Sequence, residues 1–299
     1  KYFLKLPKKF NVKLFLIDPD NSVPSFSVSK KTKNYVSPYA KEKNYKFFLR
    51  KFIKKNRIKT VFPFSEYELK ILAKDKKYYS NKKICLVVSN TNVISICENK
   101  IKTENFLKSI GIKSPKIIPF SQVKKNLPVI KKNIFGNSSK NQKIIKSPQD
   151  IPKKTSLNCF YQKYFNSQEY GMDILNDLNG NFLHCLVRKK ISMRAGDTDK
   201  AEIISSNKFL NLAKKISSEL KHIGNLDIDF LVNKKKIYVI DLNPRFGGGY
   251  PFTHEYGYNY IKALVELSLN DKKKIKFNLK NTKIKKFSKG ITIYGKNSL

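Results

Sequence analysis

The sequence predicts an α/β domain with a doubly wound parallel sheet, followed by an α+β domain built on antiparallel strands. Three observations carry this. Short apolar strands alternate with amphipathic helices through residues 1–97. Two alternating segments, 226–232 and 237–242, flank a short polar connection, the mark of an antiparallel hairpin with one buried face. A chain of 299 residues is also long enough for a substantial core and two domains.

In chain order, residues 1–9 read as the end of a helix, and because the first residue is Lys the numbering is expected to start inside the natural chain. A strand at 12–17 stops at Asp18-Pro19-Asp20. Then come a helix at 45–55, a strand at 58–62, a helix at 66–73 and a strand at 84–88. Residues 98–111 predict a helix with Ile101, Phe106, Leu107 and Ile110 inward and Gly111 as its stop. Residues 127–140 read as a strand delivering Lys131 into a small polar loop with Gly136 and Ser138, and 160–173 as an aromatic strand. A hairpin or two strands are expected over 181–205 and a core-facing helix over 207–223, ended by Gly224. After the main hairpin, 247–255 can bring backbone close to an anion, and the lysine-rich 271–299 reads as edge strands.

The main hairpin concentrates the chemistry: carboxylates, an amide, an arginine and a glycine run arrive together over 226–250. Alternation puts Asp227 and Asp229 on one side of the first strand, and Asp241 and Asn243 on one side of the second. A three-residue loop at 234–236 would set Asp229 opposite Asp241 and Asp227 opposite Asn243, whereas a loop of two or four residues would put the acids on opposite faces. Two facing carboxylates repel unless a cation lies between them. Hard oxygen donors of this kind suit Mg²⁺ or Mn²⁺ completed by phosphates and water. A metal-nucleotide shelf is one reading; acids turned to solvent among lysines is the other.

The string Asp241-Leu-Asn243-Pro-Arg245, followed by Phe246 and three glycines, resembles the end of the second hairpin strand in ATP-grasp enzymes, and among them single-copy proteins similar to one half of the carbamoyl-phosphate synthase large subunit. The resemblance implies an ATP-grasp domain at 98–299, with a smaller lid lobe at about 115–165, behind a truncated pre-ATP-grasp domain at 1–97 whose opening strand and glycine turn are missing. It implies ATP with Mg²⁺ (or Mn²⁺), phosphoryl transfer to a small-molecule carboxylate, and attack on the acyl phosphate by an amine or other nucleophile. Asp229, Asp241 and Asn243 would hold the metal, and Arg245 and Arg194 would assist transfer. Lys100, Lys131 and Ser138 would hold phosphates; Gln162, Lys163, Tyr164 and Phe165 would border the adenine, and Glu169 would accept from the ribose. Arg188 and His254 would face the substrate, although His254 reads equally as a cap for the following helix. Residues 63–68 resemble a stretch lining the substrate surface, where Glu66 and Glu68 read equally as a solvated first helical turn. The sequence departs from the family pattern in two places: Lys132 replaces the usual Pro, and the loop keeps one glycine where relatives have two or three. An ATP-binding protein of this fold with weakened catalysis is therefore the alternative.

The formal charge of +40, from 62 basic and 22 acidic residues, would ordinarily suggest nucleic acid. Only Arg50, Arg57, Arg188, Arg194 and Arg245 are arginines, Trp is absent, and Lys, Asn, Ile, Phe and Tyr abound, the profile of a genome rich in A and T. Most lysines then decorate solvated surface, and a nucleic-acid partner is disfavoured. Cys85, Cys97, Cys159 and Cys185 are scattered without CxxC spacing and read as buried thiols in a reducing compartment. No apolar run spans a membrane and the lysine-broken start is no signal peptide, so the expected setting is cytoplasmic, without a membrane partner; a homodimer is allowed for.

Overall fold

The N-terminal strands pair in parallel: β1 (Phe15–Asp18) with β2 (Lys33–Val36), and β3 (Thr60–Val61) with β4 (Cys85–Leu86). This computed structural model describes residues 2–136, 142–194, 197–204, 206–270, 273–277 and 286–288. The chain divides into one unit of Lys1–Val88 with Asn259–Lys276 and a second of Ser89–Tyr258 with Phe277–Leu299. In the first unit, α1 (Tyr45–Lys55) forms over its expected span because Tyr45, Leu49, Phe52 and Ile53 fall on one buried face. α2 (Glu66–Asn81) outruns its expected end at 73, since Asp75 and Tyr79 are also buried and Arg50 grips Asp75 with two hydrogen bonds of 2.8 Å. Glu68 is no solvated first-turn acid. It forms a capping box with Ser65 and accepts from the Tyr45 hydroxyl, and burial raises its pKa. Pro7 breaks the start of the chain into two 3₁₀ turns, Tyr2–Lys5 and Lys8–Phe10, where the sequence suggested the end of a helix. The parallel strands stand as two pairs among the described residues, and a cavity of about 890 Å³ is lined from both β1 and β3, by Phe15, Ile17, Val61 and Phe62 among others.

The second unit opens with α3 (Thr91–Glu98) and α4 (Lys100–Ser109) in place of one helix from 98. Asn99 separates them, its side chain accepting from the amides of Ile101 and Lys102 at 3.0 and 3.1 Å. A small antiparallel sheet follows, β5 (Ile117–Ile118), β6 (Val129–Asn133), β7 (Lys143–Ile145) and β8 (Cys159–Lys163), in the order β5-β8-β6-β7 around Ile118, Val129, Ile145 and Tyr161. The large sheet contains β9 (Gln168–Asn176), β10 (Phe182–Arg194), β11 (Asp197–Ile204), β12 (Gly224–Asn233), β13 (Lys236–Asn243) and β14 (Lys286–Ser288). Its order is β13-β12-β9-β10-β11-β14, all antiparallel. α5 (Asn207–Leu220) ends at Lys221 in a left-handed conformation (φ 50°), so Gly224 begins β12 and does not stop the helix. Short α6 (Tyr250–Glu255) completes this unit, and α7 (Tyr260–Leu269) belongs to the first.

One face of the large sheet is core: Met172, Ile174, Val187, Leu226, Ile228 and Phe230 pack with Ala213 and Ile216 of α5. Alternation sends Glu169, Asp173, Arg188, Lys190, Asp227 and Asp229 to the other face. The four cysteines are free thiols, and no helix among the described residues is long and apolar enough to cross a membrane.

Candidate active site

The β12–β13 connection has two residues where the facing register seemed to require three. Lys234 and Lys235 both take left-handed backbone (φ 46° and 64°) and Asn233 pairs with Lys236, a tight hairpin turn that alone would separate the acids. A β-bulge brings them back together: Asp229 pairs with Asp241 and Asp227 with Asn243, while one residue further Phe230 pairs with Val239. The extra residue is Ile240. Val239 and Leu242 both reach the core at 0 % exposure although they are three apart, which strict alternation forbids.

On the resulting polar face, Lys100 Nζ lies 3.0 Å from both oxygens of Asp241. Lys190 Nζ lies 2.7 Å from Asp229 Oδ1 and also pairs with Glu169. Burial lowers the Lys190 pKa, but Asp229 and Glu169 outweigh it and hold the ammonium above its ordinary value. The third cation is Lys132, whose Nζ donates to Gln162 Oε1 at 3.0 Å and lies in the field of Asp241, Glu169 and Asp229. Burial pushes its pKa down to about 8. Lys131 was the expected phosphate cation, but it shares a strand face with Val129, which is buried in the small core; alternation along β6 gives the cluster-facing place to Lys132.

Arg188 is also placed differently from the open cleft expected of it. It is 2 % exposed, donating at 2.6 Å to Asp173 and at 2.6 Å to Asp227. Thr253 donates to the same Asp173, and Asn225 bridges Asp173 and the Arg245 carbonyl at 3.2 and 3.1 Å. Burial, with Asp229 and Asp173 as like charges, pushes the Asp227 pKa up to about 7 against the pull of Arg188. The glycines make this packing feasible. A Cβ on Gly171 would lie 2.7 Å from Arg188 Nε, one on Gly249 2.0 Å from Arg188 Nη2, and one on Gly247 2.0 Å from Asp227 Oδ2. Gly247 and Gly249 therefore lie on buried charges.

Gln162 is buried, donating to the Pro115 carbonyl at 2.8 Å while it accepts from Lys132. Lys163 ties the end of β8 to the Asn126 and Leu127 carbonyls (2.9 and 3.2 Å), the Tyr164 amide donates to Pro128 at 3.2 Å, and Phe165 packs on Tyr238 at 4.8 Å. Arg245 donates to the Phe246 carbonyl at 3.2 Å and its amide to the Asn243 carbonyl at 2.8 Å. Arg194 stands at the exposed end of β10, paired with Asp199 at 3.0 Å. His254 Nδ1 is 3.2 Å from the Tyr250 hydroxyl, while the α7 cap is supplied by Asn259, which accepts from the Lys262 amide at 2.8 Å. Ser138 lies outside the described residues. Sequence reasoning missed Lys190, Asp173 and Thr253.

Asp229, Asp241 and Asn243 offer two carboxylates and an amide oxygen, donors that fit Mg²⁺ or Mn²⁺ once phosphate oxygens and water complete the shell. Among the described residues no group of three or more His, Cys, Asp or Glu side chains could hold a metal unaided.

A family model described as an ATP-grasp domain matches residues 97–249, half of the chain, including Lys100, Lys132, Glu169, Arg188, Lys190, Asp229 and Asp241. The chain belongs to the ATP-grasp family. A model of a PylC-like N-terminal domain matches residues 1–87 ahead of the ATP-grasp segment. The chain is 23% identical over 211 residues to a carbamoyl-phosphate synthase of Methanobrevibacter smithii, a match covering 62% of this chain and 56% of that protein, little more than half its length. Two solved structures share the ATP-grasp fold. The biotin carboxylase–β,γ-ATP complex of Campylobacter jejuni has a TM-score of 0.72 at 14% identity, over 91% of this chain and 69% of that one. The N5-carboxyaminoimidazole synthetase of Staphylococcus aureus, complexed with ADP, has a TM-score of 0.68 at 18% identity, over 89% and 73%.

Proposed function

We propose that the chain is an Mg-ATP-dependent ligase that activates a small-molecule carboxylate as an acyl phosphate for attack by an amine or similar nucleophile. The observation that carries this reading is the facing pair Asp229 and Asp241, ringed by Lys100, Lys132 and Lys190 on the polar face of an ATP-grasp sheet.

Asp229, Asp241 and Asn243 would hold Mg²⁺, which when bound neutralises and orients the phosphates. Lys100 and Lys132 bring further positive charge to the phosphates. Lys131 and Ser138 would hold phosphates as the resemblance implies. Glu169 would accept from the ribose hydroxyls, and the backbone of 163–165 would meet the adenine beside Gln162. Arg245, fixed through its carbonyl by Asn225, would meet charge developing on the transferred phosphoryl, with Arg194 as a second such cation and His254 on the substrate side. In the first step a carboxylate oxygen bonds the γ-phosphorus as its bond to the β-bridging oxygen breaks, releasing ADP. In the second, an amine attacks the acyl carbon and phosphate leaves, the amine losing a proton. Such chemistry needs positioning and charge neutralisation more than a protein nucleophile.

The test supplies ATP, Mg²⁺, hydroxylamine as a trapping amine and a panel of carboxylates. Carboxylate-dependent ADP release with hydroxamate formation is expected, reduced at least about 100-fold in Asp241→Ala. ADP release at one rate with or without any carboxylate, yielding only free phosphate, would end the ligase reading.

A further inference from the structure

On the polar face Glu169, Asp229 and Asp241 face three ammonium groups, Lys100, Lys132 and Lys190, and beneath them Arg188 lies between Asp173 and Asp227. The two acids that would ligate a metal are already engaged: one ammonium sits 3.0 Å from both oxygens of Asp241, and another 2.7 Å from Asp229 while also holding Glu169. These ion pairs are sheltered, with the Lys100 and Lys190 side chains 10 and 6 % exposed, so solvent screens them weakly.

We propose that Lys100 and Lys190 are exchangeable counter-ions that close the acid pair to a free divalent cation and release it only when a polyphosphate arrives. The inference rests on the Mg-ATP reading above. A dication entering alone would meet carboxylates each already paired with an ammonium and would be repelled by those two charges. A nucleotide changes the balance, because its phosphates take over the ammoniums and leave Asp229 and Asp241 in need of a cation. Metal and nucleotide then enter as one unit, each raising the affinity for the other by the same factor. Because Lys190 bridges Glu169 and Asp229, occupation of the ribose acid and release of the metal acid are coupled through one side chain.

The test is a Mn²⁺ titration of the full 299-residue chain followed by electron paramagnetic resonance, with MnCl₂ alone and with saturating ADP, on wild type, Lys100→Met and Lys190→Met. Circular dichroism establishes that each variant is folded, and Lys100→Met, at the less buried position, stands in if Lys190→Met does not fold. Wild type is expected to bind Mn²⁺ tightly only with ADP. Losing either ammonium should strengthen binding of Mn²⁺ alone by about tenfold or more and shrink the ADP effect. Equal Mn²⁺ affinity in wild type with and without ADP, or unchanged binding of Mn²⁺ alone in the folded variants, overturns the counter-ion role. Failure of ADP and Mn²⁺ to bind in any combination instead overturns the nucleotide reading on which it rests, so the two failures are distinct.

Discussion

Replacing Gly249 by alanine adds one methyl group at a residue whose backbone is already helical (φ −82°, ψ −16°), so backbone strain plays no part. The added Cβ would lie 2.0 Å from Arg188 Nη2, 2.1 Å from Cζ and 2.2 Å from Nε, whereas real Cβ contacts stay beyond 3.0 Å. The guanidinium has to move by roughly an ångström, yet Gly171 hems it in on another side and its two 2.6 Å hydrogen bonds hold Asp173 and Asp227. Disrupting a buried pair costs about 3–5 kcal/mol, and Gly→Ala returns about 0.4–1 through the unfolded chain, leaving a loss of about 2–4.6 kcal/mol. For a chain of this size that lowers Tm by about 4–18 °C. Gly248→Ala is the control. Its Cβ would meet the Asp197 carboxylate at 2.3 Å, but Asp197 is exposed at a strand end and outside the buried Arg188 network, so the cost should stay below about 1 kcal/mol. Denaturant titration of both variants checks this. Equal costs at 248 and 249 would refute the account of the glycine run as a lid on Arg188.

Other consequences follow from the turn and from Lys132. Lys234 and Lys235 hold left-handed backbone at a cost of about 1–2 kcal/mol each, so Lys234→Asn with Lys235→Gly should stabilise the protein by about 1–2 kcal/mol, read as a higher denaturant midpoint at an unchanged slope. Burial depresses the Lys132 ammonium to about 8, so it is charged below that pH and neutral above it. Calorimetric ADP affinity without metal should therefore fall as pH rises through about 8, and Lys132→Arg, charged throughout, should flatten the profile.

The parts of the fold that local chemistry dictates were legible. α1 follows from four apolar residues at helical spacing, and the ATP-grasp family from the Asp-x-Asn-Pro-Arg string. What escaped depends on tertiary context. Ile240 looks like one more apolar strand residue, and only the joint burial of Val239 and Leu242 makes it a bulge. The two-residue turn and the bulge each shift the register by one, so the facing acids emerge from two unforeseen features that cancel. Lys190 and Lys132 are hidden by composition, since in so lysine-rich a chain no sequence signal separates a buried ammonium from the solvated many. α2 continued past 73 because Arg50 neutralises Asp75 from another helix, a partnership no window on α2 contains.

The most direct measurement is the thermal shift produced by ATP with and without Mg²⁺ in wild type and in Asp241→Ala. At about a hundredfold excess over Kd, ligand binding adds about 2.7 kcal/mol, so wild type should gain about 5–10 °C with Mg-ATP, clearly less with ATP alone, and Asp241→Ala should lose most of the metal-dependent part. No shift in wild type at millimolar ATP, or the same metal-dependent shift in Asp241→Ala, would contradict the hairpin as the metal-nucleotide site.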